Sequence, residues 1–202
     1  MRLVCGAGVN DSPVKVTWNL EGKQYTCPHY RLWRDMVTRC YSGRQPAYAN
    51  VKVCQSWLTF SSFLEWSQLN RVEGWQLDKD FLGDGSLYSP ATCAFIPTYL
   101  NNTFDNSTAS NGLALGVCMS GSKFYPQITL SGKVKALGRY NSEWLAHKAW
   151  LIEKSEQLTK LLDRYRLEQY ASQDIIHSLE VKRSKLVSAI VHETLIHSIK
   201  DL

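Results

Sequence analysis

From residue 143 to the C-terminus the chain contains neither glycine nor proline, the two residues that are least favourable inside a helix. Apolar residues recur here every seven positions, at Trp144, Leu151, Leu158 and Tyr165. This spacing is typical of helices that pair with other helices, within one chain or between two. A second apolar run follows at Leu179, Leu186, Ile190 and Leu195, and Ser172 with Asp174 is a good helix start. We therefore expect one long helix or an antiparallel helical hairpin.

Residues 116–142 alternate between polar and apolar side chains with the two-residue period of a β-strand. The polar positions are Lys123, Tyr125, Gln127, Lys133, Lys135 and Arg139. The apolar positions are Phe124, Ile128, Val134 and Tyr140. With a turn at residues 131–132, the pattern predicts a sheet that packs on one side and leaves the polar set together on the other. That polar face is either an ordinary solvated surface or a binding surface.

Aromatic residues at helical spacing dominate residues 28–75. Pro28 is a suitable first residue for a helix, and a second helix is expected over residues 55–69. One face of the first predicted helix carries Tyr30, Trp33, Met36 and Val37. One face of the second carries Trp57, Phe60, Phe63, Leu64 and Ser67. Such stripes usually face a protein core. Before them, residues 1–27 alternate weakly around Gly22 and predict a short hairpin.

Asparagine, serine and threonine crowd into residues 101–115 without any periodicity, which is typical of a linker. We therefore expect an α+β protein in four parts. An N-terminal module spans residues 1–105 and a linker spans residues 106–115. A sheet-and-helix module follows at residues 116–150, and a helical tail at residues 151–202.

Composition excludes some classes of protein. No apolar run approaches the roughly 20 residues that a membrane span needs, and no secretory signal is recognisable. We therefore expect a protein of the cytoplasm, where the six cysteines stay reduced. The formal net charge of +5 is compatible with a nucleic-acid partner. Cys27, Cys40, Cys54 and Cys93 are an alternative zinc set, but zinc is not expected because no two cysteines form a CxxC pair.

Residues 30–101 carry several uncommon residues in a fixed order. The matching motifs are Tyr30-x-x-Trp33-x-x-Met36-x-x-Arg39-Cys40-Tyr41, Val53-Cys54-x-x-Trp57-x-x-Phe60-x-x-Phe63, Leu77-Asp78-Lys79-Asp80, Tyr88-Ser89-Pro90-x-Thr92-Cys93-x-Phe95-x-Pro97 and Asn101. In these motifs the chain resembles the HNH endonucleases of phages and mobile elements. The resemblance covers about a third of the chain. It implies a small ββα nuclease module with flanking helices, acting on DNA in a phage-infected host cytoplasm.

An HNH site uses a metal ion to polarise the scissile phosphate and a histidine to activate water. The resemblance implies Asp78, Lys79 and Asp80 as catalytic residues, with Asp78, Asp80 and Asn101 as ligands of Mg²⁺. The histidine itself is missing from this segment, and His29 is the only histidine before residue 147. The alternative for Asp78 and Asp80 is a role in capping turns, and for Asn101 in capping a helix.

Residues 116–150 resemble the DNA-binding domain of plant ethylene-response factors, which has three strands and a helix. The matching residues are Gly116-Val117, Lys123-Phe124-Tyr125-x-x-Ile128, Gly132-Lys133, Leu137-Gly138-x-Tyr140, Ala146 and Ala149. That family lays its sheet in the DNA major groove. The resemblance implies that Lys123, Tyr125, Gln127, Lys133, Lys135 and Arg139 bind double-stranded DNA.

Taken together, these patterns predict a phage-type DNA-binding protein, with a homing or nicking endonuclease as the first hypothesis and Mg²⁺ as its cofactor. A DNA-binding or regulatory protein without nuclease activity is the second. A third is a protein that binds a host or phage partner, or a second copy of itself, through the helices of residues 143–202.

Overall fold

The computed structural model describes residues 3–104, 112–130 and 132–202. The chain forms two compact units, Met1–Pro97 and Thr98–Leu202. Helices and several small sheets occur in the same chain, which confirms the predicted α+β class. Within the described residues, no helix combines the length and the apolar character needed to cross a lipid bilayer.

The first unit contains small sheets and two main helices. Its elements are β1 (Thr17–Leu20), β2 (Lys23–Thr26), α1 (Pro28–Tyr41), β3 (Lys52–Val53), α2 (Phe60–Asn70), β4 (Gln76–Asp78), β5 (Leu87–Tyr88) and β6 (Ala94–Ile96). Strands β1 and β2 form an antiparallel hairpin, β3 pairs with β5 in parallel, and β4 pairs with β6 antiparallel. The predicted hairpin is confirmed, and its turn uses Glu21 and Gly22, both at positive φ.

The core of the first unit is the aromatic cluster that the helical spacing predicted. Trp33, Met36 and Val37 of α1 are fully buried. They pack with Trp57, which precedes α2, and with Phe60 and Phe63 on α2 itself. Proline at the first position of α1 has no amide hydrogen to leave unpaired. The second helix begins later than expected, because residues Ser56–Leu58 form a 3₁₀ turn.

The second unit contains a three-stranded sheet and a helical hairpin. Its elements are α3 (Thr98–Asn101), β7 (Val117–Ser120), β8 (Lys123–Leu130), β9 (Lys133–Ala136), α4 (Glu143–Arg166) and α5 (Gln173–Val191). A 3₁₀ turn, Ile199–Asp201, lies near the C-terminus. The strands are antiparallel in the order β7-β8-β9. The predicted sheet with one helix packed on it is therefore present.

The tail is the helical hairpin rather than one long helix. Helix α4 packs against α5, with Leu151, Leu158 and Tyr165 of the heptad set buried. The Ser142 hydroxyl accepts a hydrogen bond from the Leu145 amide and so caps α4. The expected boundary between residues 150 and 151 falls inside α4, which continues from the sheet into the hairpin. Residues 106–111, which make up most of the expected linker, lie outside the described residues.

Candidate functional site

Asp78 lies at the end of β4, where its side chain closes the turn that follows. Its Oδ1 accepts hydrogen bonds from the amides of Asp80, at 2.9 Å, and Phe81, at 2.8 Å. Burial raises the pKa of the Asp78 carboxyl, and the Phe81 amide opposes that rise. This is the turn-capping geometry that short acidic side chains often adopt after a strand. The carboxylate therefore already has a structural role.

Lys79 is buried and held by its neighbour Asp80. Its Nζ donates to both carboxylate oxygens of Asp80, at 2.9 Å each. The same ammonium lies 5.4 Å from the ring centre of Tyr48 and 5.7 Å from that of Tyr88, within the range of cation–π attraction. Only 6% of the Lys79 side chain is exposed. The Lys79 ammonium is therefore enclosed by protein groups and is not exposed to solvent.

Two of the expected magnesium ligands, Asp78 and Asp80, already have partners in this structure. Mg²⁺ binds best to carboxylate oxygens that face no competing cation, whereas both oxygens of Asp80 face the Lys79 ammonium. Asn101 is the last residue of α3. Throughout the part of the chain that the structure describes, no three His, Cys, Asp or Glu side chains gather as metal ligands. As a magnesium ligand, Asp80 would have to give up its ion pair with Lys79.

His29 and two of the cysteines, Cys40 and Cys93, are at least partly buried, and burial shifts their pKa values. His29 Nδ1 lies 2.8 Å from Ser67 Oγ. Burial lowers the pKa of His29, and the positive charge of Arg71 lowers it further. Burial raises the pKa of the Cys40 thiol to about 11 and that of the Cys93 thiol to about 12. Protonated thiols are poor metal ligands. All six cysteines are free thiols in this structure.

The predicted polar face of the sheet is partly wrong. Lys133 stands opposite Leu130, and Lys135 stands opposite Ile128, so both lysines lie on the face that holds these apolar residues. Lys135 also reaches Glu153 of α4, with its Nζ 2.8 Å from the carboxylate. The two lysines therefore lie on the helix side of the sheet and not beside Gln127.

The connection between β8 and β9 explains this error. A two-residue connection places Leu130 opposite Lys133, so odd-numbered residues of β8 stand opposite even-numbered residues of β9. Facing residues of an antiparallel pair share one side of the sheet. Val134 therefore joins Thr129 on the side of the sheet that faces away from α4, the outer face. Val134 is 67% exposed instead of covering the core.

Arg139 returns to the outer face because the pairing shifts by one residue after β9. Ala136 stands opposite Gln127, but Tyr140 stands opposite Phe124. The chain takes up the extra residue near Gly138, whose φ is +113°. The Arg139 guanidinium carbon then lies 5.1 Å from the centre of the Tyr125 ring. The structure thus brings together four of the six predicted DNA-binding residues: Lys123, Tyr125, Gln127 and Arg139.

Strand β7 adds residues to this outer face that the sequence pattern missed. Cys118 stands opposite Tyr125, and Ser120 stands opposite Lys123. Gln127 Nε2 lies 3.0 Å from Cys118 Sγ, and the Lys123 ammonium donates to the Asn141 side chain. Four residues are too few to reveal alternation in a strand, but pairing with β8 would have identified Cys118 and Ser120. We call the set Cys118, Ser120, Lys123, Tyr125, Gln127, Thr129, Val134, Ala136 and Arg139 the outer sheet face.

Helix α4 covers the opposite side of the sheet. Val117 and Phe124 pack there with Ala146 and Tyr140. Gly116, at φ +72°, touches the Trp150 ring so closely that an added Cβ would lie 2.0 Å from a ring carbon. The Gln157 side chain donates to the Thr129 carbonyl. The sheet therefore has one packed face and one face that the described residues leave accessible.

Comparisons with protein-family models, with curated proteins and with solved structures found no match to this chain.

Proposed function

We propose that this protein binds double-stranded DNA through the outer sheet face. The observation that carries the proposal is the clustering of Lys123, Gln127 and Arg139 on the side of the sheet opposite α4. Arginine and glutamine side chains can hydrogen-bond the edges of guanine and adenine in the major groove, and lysine neutralises phosphate. A sheet or two-stranded ribbon fits that groove.

The register changes the expected energetics of this interaction. The outer sheet face carries two cations, Lys123 and Arg139, rather than the four that polarity alone predicted. Each phosphate contact contributes about 0.9 to the slope of log affinity against log salt. We therefore expect a shallow slope of about −2 if both cations contact phosphate, and affinity that depends strongly on the polar contacts of Gln127 and Arg139.

A matched pair of lysine variants tests the proposal. Lys123→Ala and Lys133→Ala each remove one positive charge from neighbouring strands, but on opposite faces of the sheet. Fluorescence anisotropy with a labelled duplex at about 50 mM salt, where electrostatic binding is strong, should show weaker binding for Lys123→Ala and for Arg139→Ala. Lys133→Ala should bind nearly as the unmodified protein does. Equal losses for Lys123→Ala and Lys133→Ala would show that net charge matters and the face does not.

The other predictions from the sequence keep their place as alternatives. A nuclease remains the prediction of the HNH-like motifs, and a phage protein of the host cytoplasm remains the setting that they imply. A protein partner or a homodimer is favoured by one observation, the exposure of Val187 and Val191 on α5, at 47% and 69%. Light scattering of the intact chain over a range of concentrations tests the homodimer.

A further inference from the structure

The β1–β2 hairpin has one aromatic face and one polar face. Trp18 stands opposite Tyr25, and Leu20 stands opposite Lys23, so these four side chains share one side. The other side carries Thr17, Asn19, Gln24 and Thr26. In most small sheets the apolar side packs on a core. Here Trp18, Leu20 and Tyr25 remain 44%, 56% and 43% exposed.

The rings of Trp18 and Tyr25 form a stacked pair across the two strands. The ring centroids of Trp18 and Tyr25 are 6.3 Å apart and their planes differ by only 15°. A cross-strand aromatic pair stabilises a two-stranded hairpin that would otherwise be marginal, yet both residues of this pair keep more than two fifths of their surface exposed. Planar rings with accessible faces are, however, the groups on which proteins stack unpaired nucleic-acid bases.

Three basic residues lie on or next to this hairpin. Lys23 lies on the same face, Lys15 precedes β1, and Arg31 lies in the first turn of α1 directly after β2. All three side chains are exposed and, among the described residues, they form no ion pair. Glu21, at the turn, is the one carboxylate within the hairpin sequence. The charge favours a polyanion over an acidic or neutral protein surface.

We propose that the hairpin binds single-stranded nucleic acid, with bases stacking on Trp18 and Tyr25 and phosphates facing Lys15, Lys23 and Arg31. Unpaired bases are required because a duplex keeps its base faces covered by their neighbours. Binding of this kind tolerates different sequences, since every base has an aromatic face. The inference concerns a different surface from the outer sheet face and does not depend on it.

The test measures binding of a labelled oligothymidylate of about 12 nucleotides, a length within the usual site size. Trp18→Ala and Tyr25→Ala should each weaken binding by about fivefold or more, the effect expected for losing one stacking ring. Trp18→Phe should restore most of the affinity. Lys23→Ala should reduce the salt slope by about 0.7, the value for one contact with a single strand.

Two controls separate stacking from general damage. Asn19→Ala removes a side chain from the polar side of the same hairpin, and Tyr170→Ala removes an exposed tyrosine from the second unit. Both should bind the oligonucleotide as the unmodified protein does. Thermal unfolding of Trp18→Ala should remain close to that of the unmodified protein, because Trp18 lies outside the core cluster.

Unchanged oligothymidylate affinity in both aromatic variants would overturn the proposal. So would a change of molecular mass in Trp18→Ala without a change in affinity, because the hairpin would then contact a second copy of the chain. Loss of duplex binding in the sheet variants tests the outer sheet face alone. Failure of one proposal is therefore distinguishable from failure of the other.

Discussion

His147 shows how one buried side chain joins distant parts of the second unit. Its ring is fully buried. Nδ1 lies 3.0 Å from the Leu115 carbonyl, and Nε2 accepts from the Ile196 amide at 3.1 Å. The Leu115 amide donates to the Ile196 carbonyl at 2.7 Å, which closes a ring of three hydrogen bonds. This arrangement requires a neutral imidazole with its proton on Nδ1, because Nε2 must accept.

The first prediction at this scale is a loss of stability in mild acid. Burial lowers the pKa of His147, and the Leu115 carbonyl opposes that effect. Below the unfolded pKa of about 6.5 the unfolded chain binds a proton that the folded chain does not. The free energy of unfolding should therefore be highest above that pH and should fall below it, by up to about 1.4 kcal/mol per pH unit from this group.

Urea unfolding at several pH values between 5 and 8 measures this effect. His147→Gln should be less stable at neutral pH, and its stability should change less with pH than that of the unmodified protein. His177→Gln is the matched control, because His177 lies in the same unit, on α5, and its side chain is exposed rather than buried. An unaltered pH dependence in His147→Gln would show that another group titrates.

Gly85 carries the second prediction. A Cβ at this position would lie 2.1 Å from Asp80 Oδ1, and its φ is +79°. Gly85→Ala should therefore push Asp80 away from the buried Lys79 ammonium, and leaving a buried charge unpaired is costly. Gly74→Ala is the control, because Gly74 has nearly the same φ, +80°, but an added Cβ there meets nothing within 4 Å. Denaturant unfolding should show Gly85→Ala as the less stable variant, and similar losses would contradict the proposed clash.

At the scale of secondary structure, the sequence patterns predicted where the helices and strands lie better than they predicted which residues of paired strands share a face. Helix α1 and the helical hairpin were predictable, because apolar spacing is set by the helical repeat itself. Alternation in β8 and in β9 was also correct within each strand. The relation between the two strands depends on register, which the short connection determines and polarity does not reveal. Lys133 and Lys135 were misplaced for that reason.

Helix α4 belongs both to the sheet module of residues 116–150 and to the helical tail of residues 151–202, which the sequence predicted as separate parts. Its first half supplies Ala146 and Trp150 to the packed side of the sheet, and its second half supplies Leu158 and Tyr165 to the contact with α5. A chain ending near Ser142 would therefore lose the support of the sheet along with the helical tail. Self-association through the tail is better tested by changing exposed residues of α5 than by truncation.

The motif Leu77-Asp78-Lys79-Asp80 predicts a nuclease site but does not specify the contacts of its side chains. The resemblance to HNH endonucleases implies catalysis at this segment, and that stays a prediction. Whether a carboxylate is open to a metal depends on contacts that motifs do not specify. Here Tyr48 and Tyr88, which precede and follow the segment in the sequence, enclose Lys79 and keep it beside Asp80.

At the scale of the whole molecule, the cations behind the net charge of +5 belong to two compact units. The cations proposed to contact nucleic acid fall into two sets. Lys123 and Arg139 lie on the outer sheet face of the second unit, and the first unit carries Lys15, Lys23 and Arg31 in or next to its hairpin. Several others are held in ion pairs, including Lys79 with Asp80 and Lys135 with Glu153. Net charge therefore overestimates the number of cations available to a nucleic acid, and salt slopes measured with each probe are the better guide.

The last prediction concerns cleavage by the intact protein. Supercoiled plasmid incubated with the protein and Mg²⁺ or Mn²⁺ should be bound but should remain uncut, because the carboxylates of Asp78 and Asp80 are held by backbone amides and by Lys79. Asp78→Ala should instead lower stability, since it leaves the amides of Asp80 and Phe81 without their acceptor. Nicking that needs a divalent metal and disappears in both Asp78→Ala and Asn101→Ala, while Asn19→Ala still cuts, would contradict this prediction. It would show that DNA or metal binding rearranges the segment into the nuclease site that its sequence resembles.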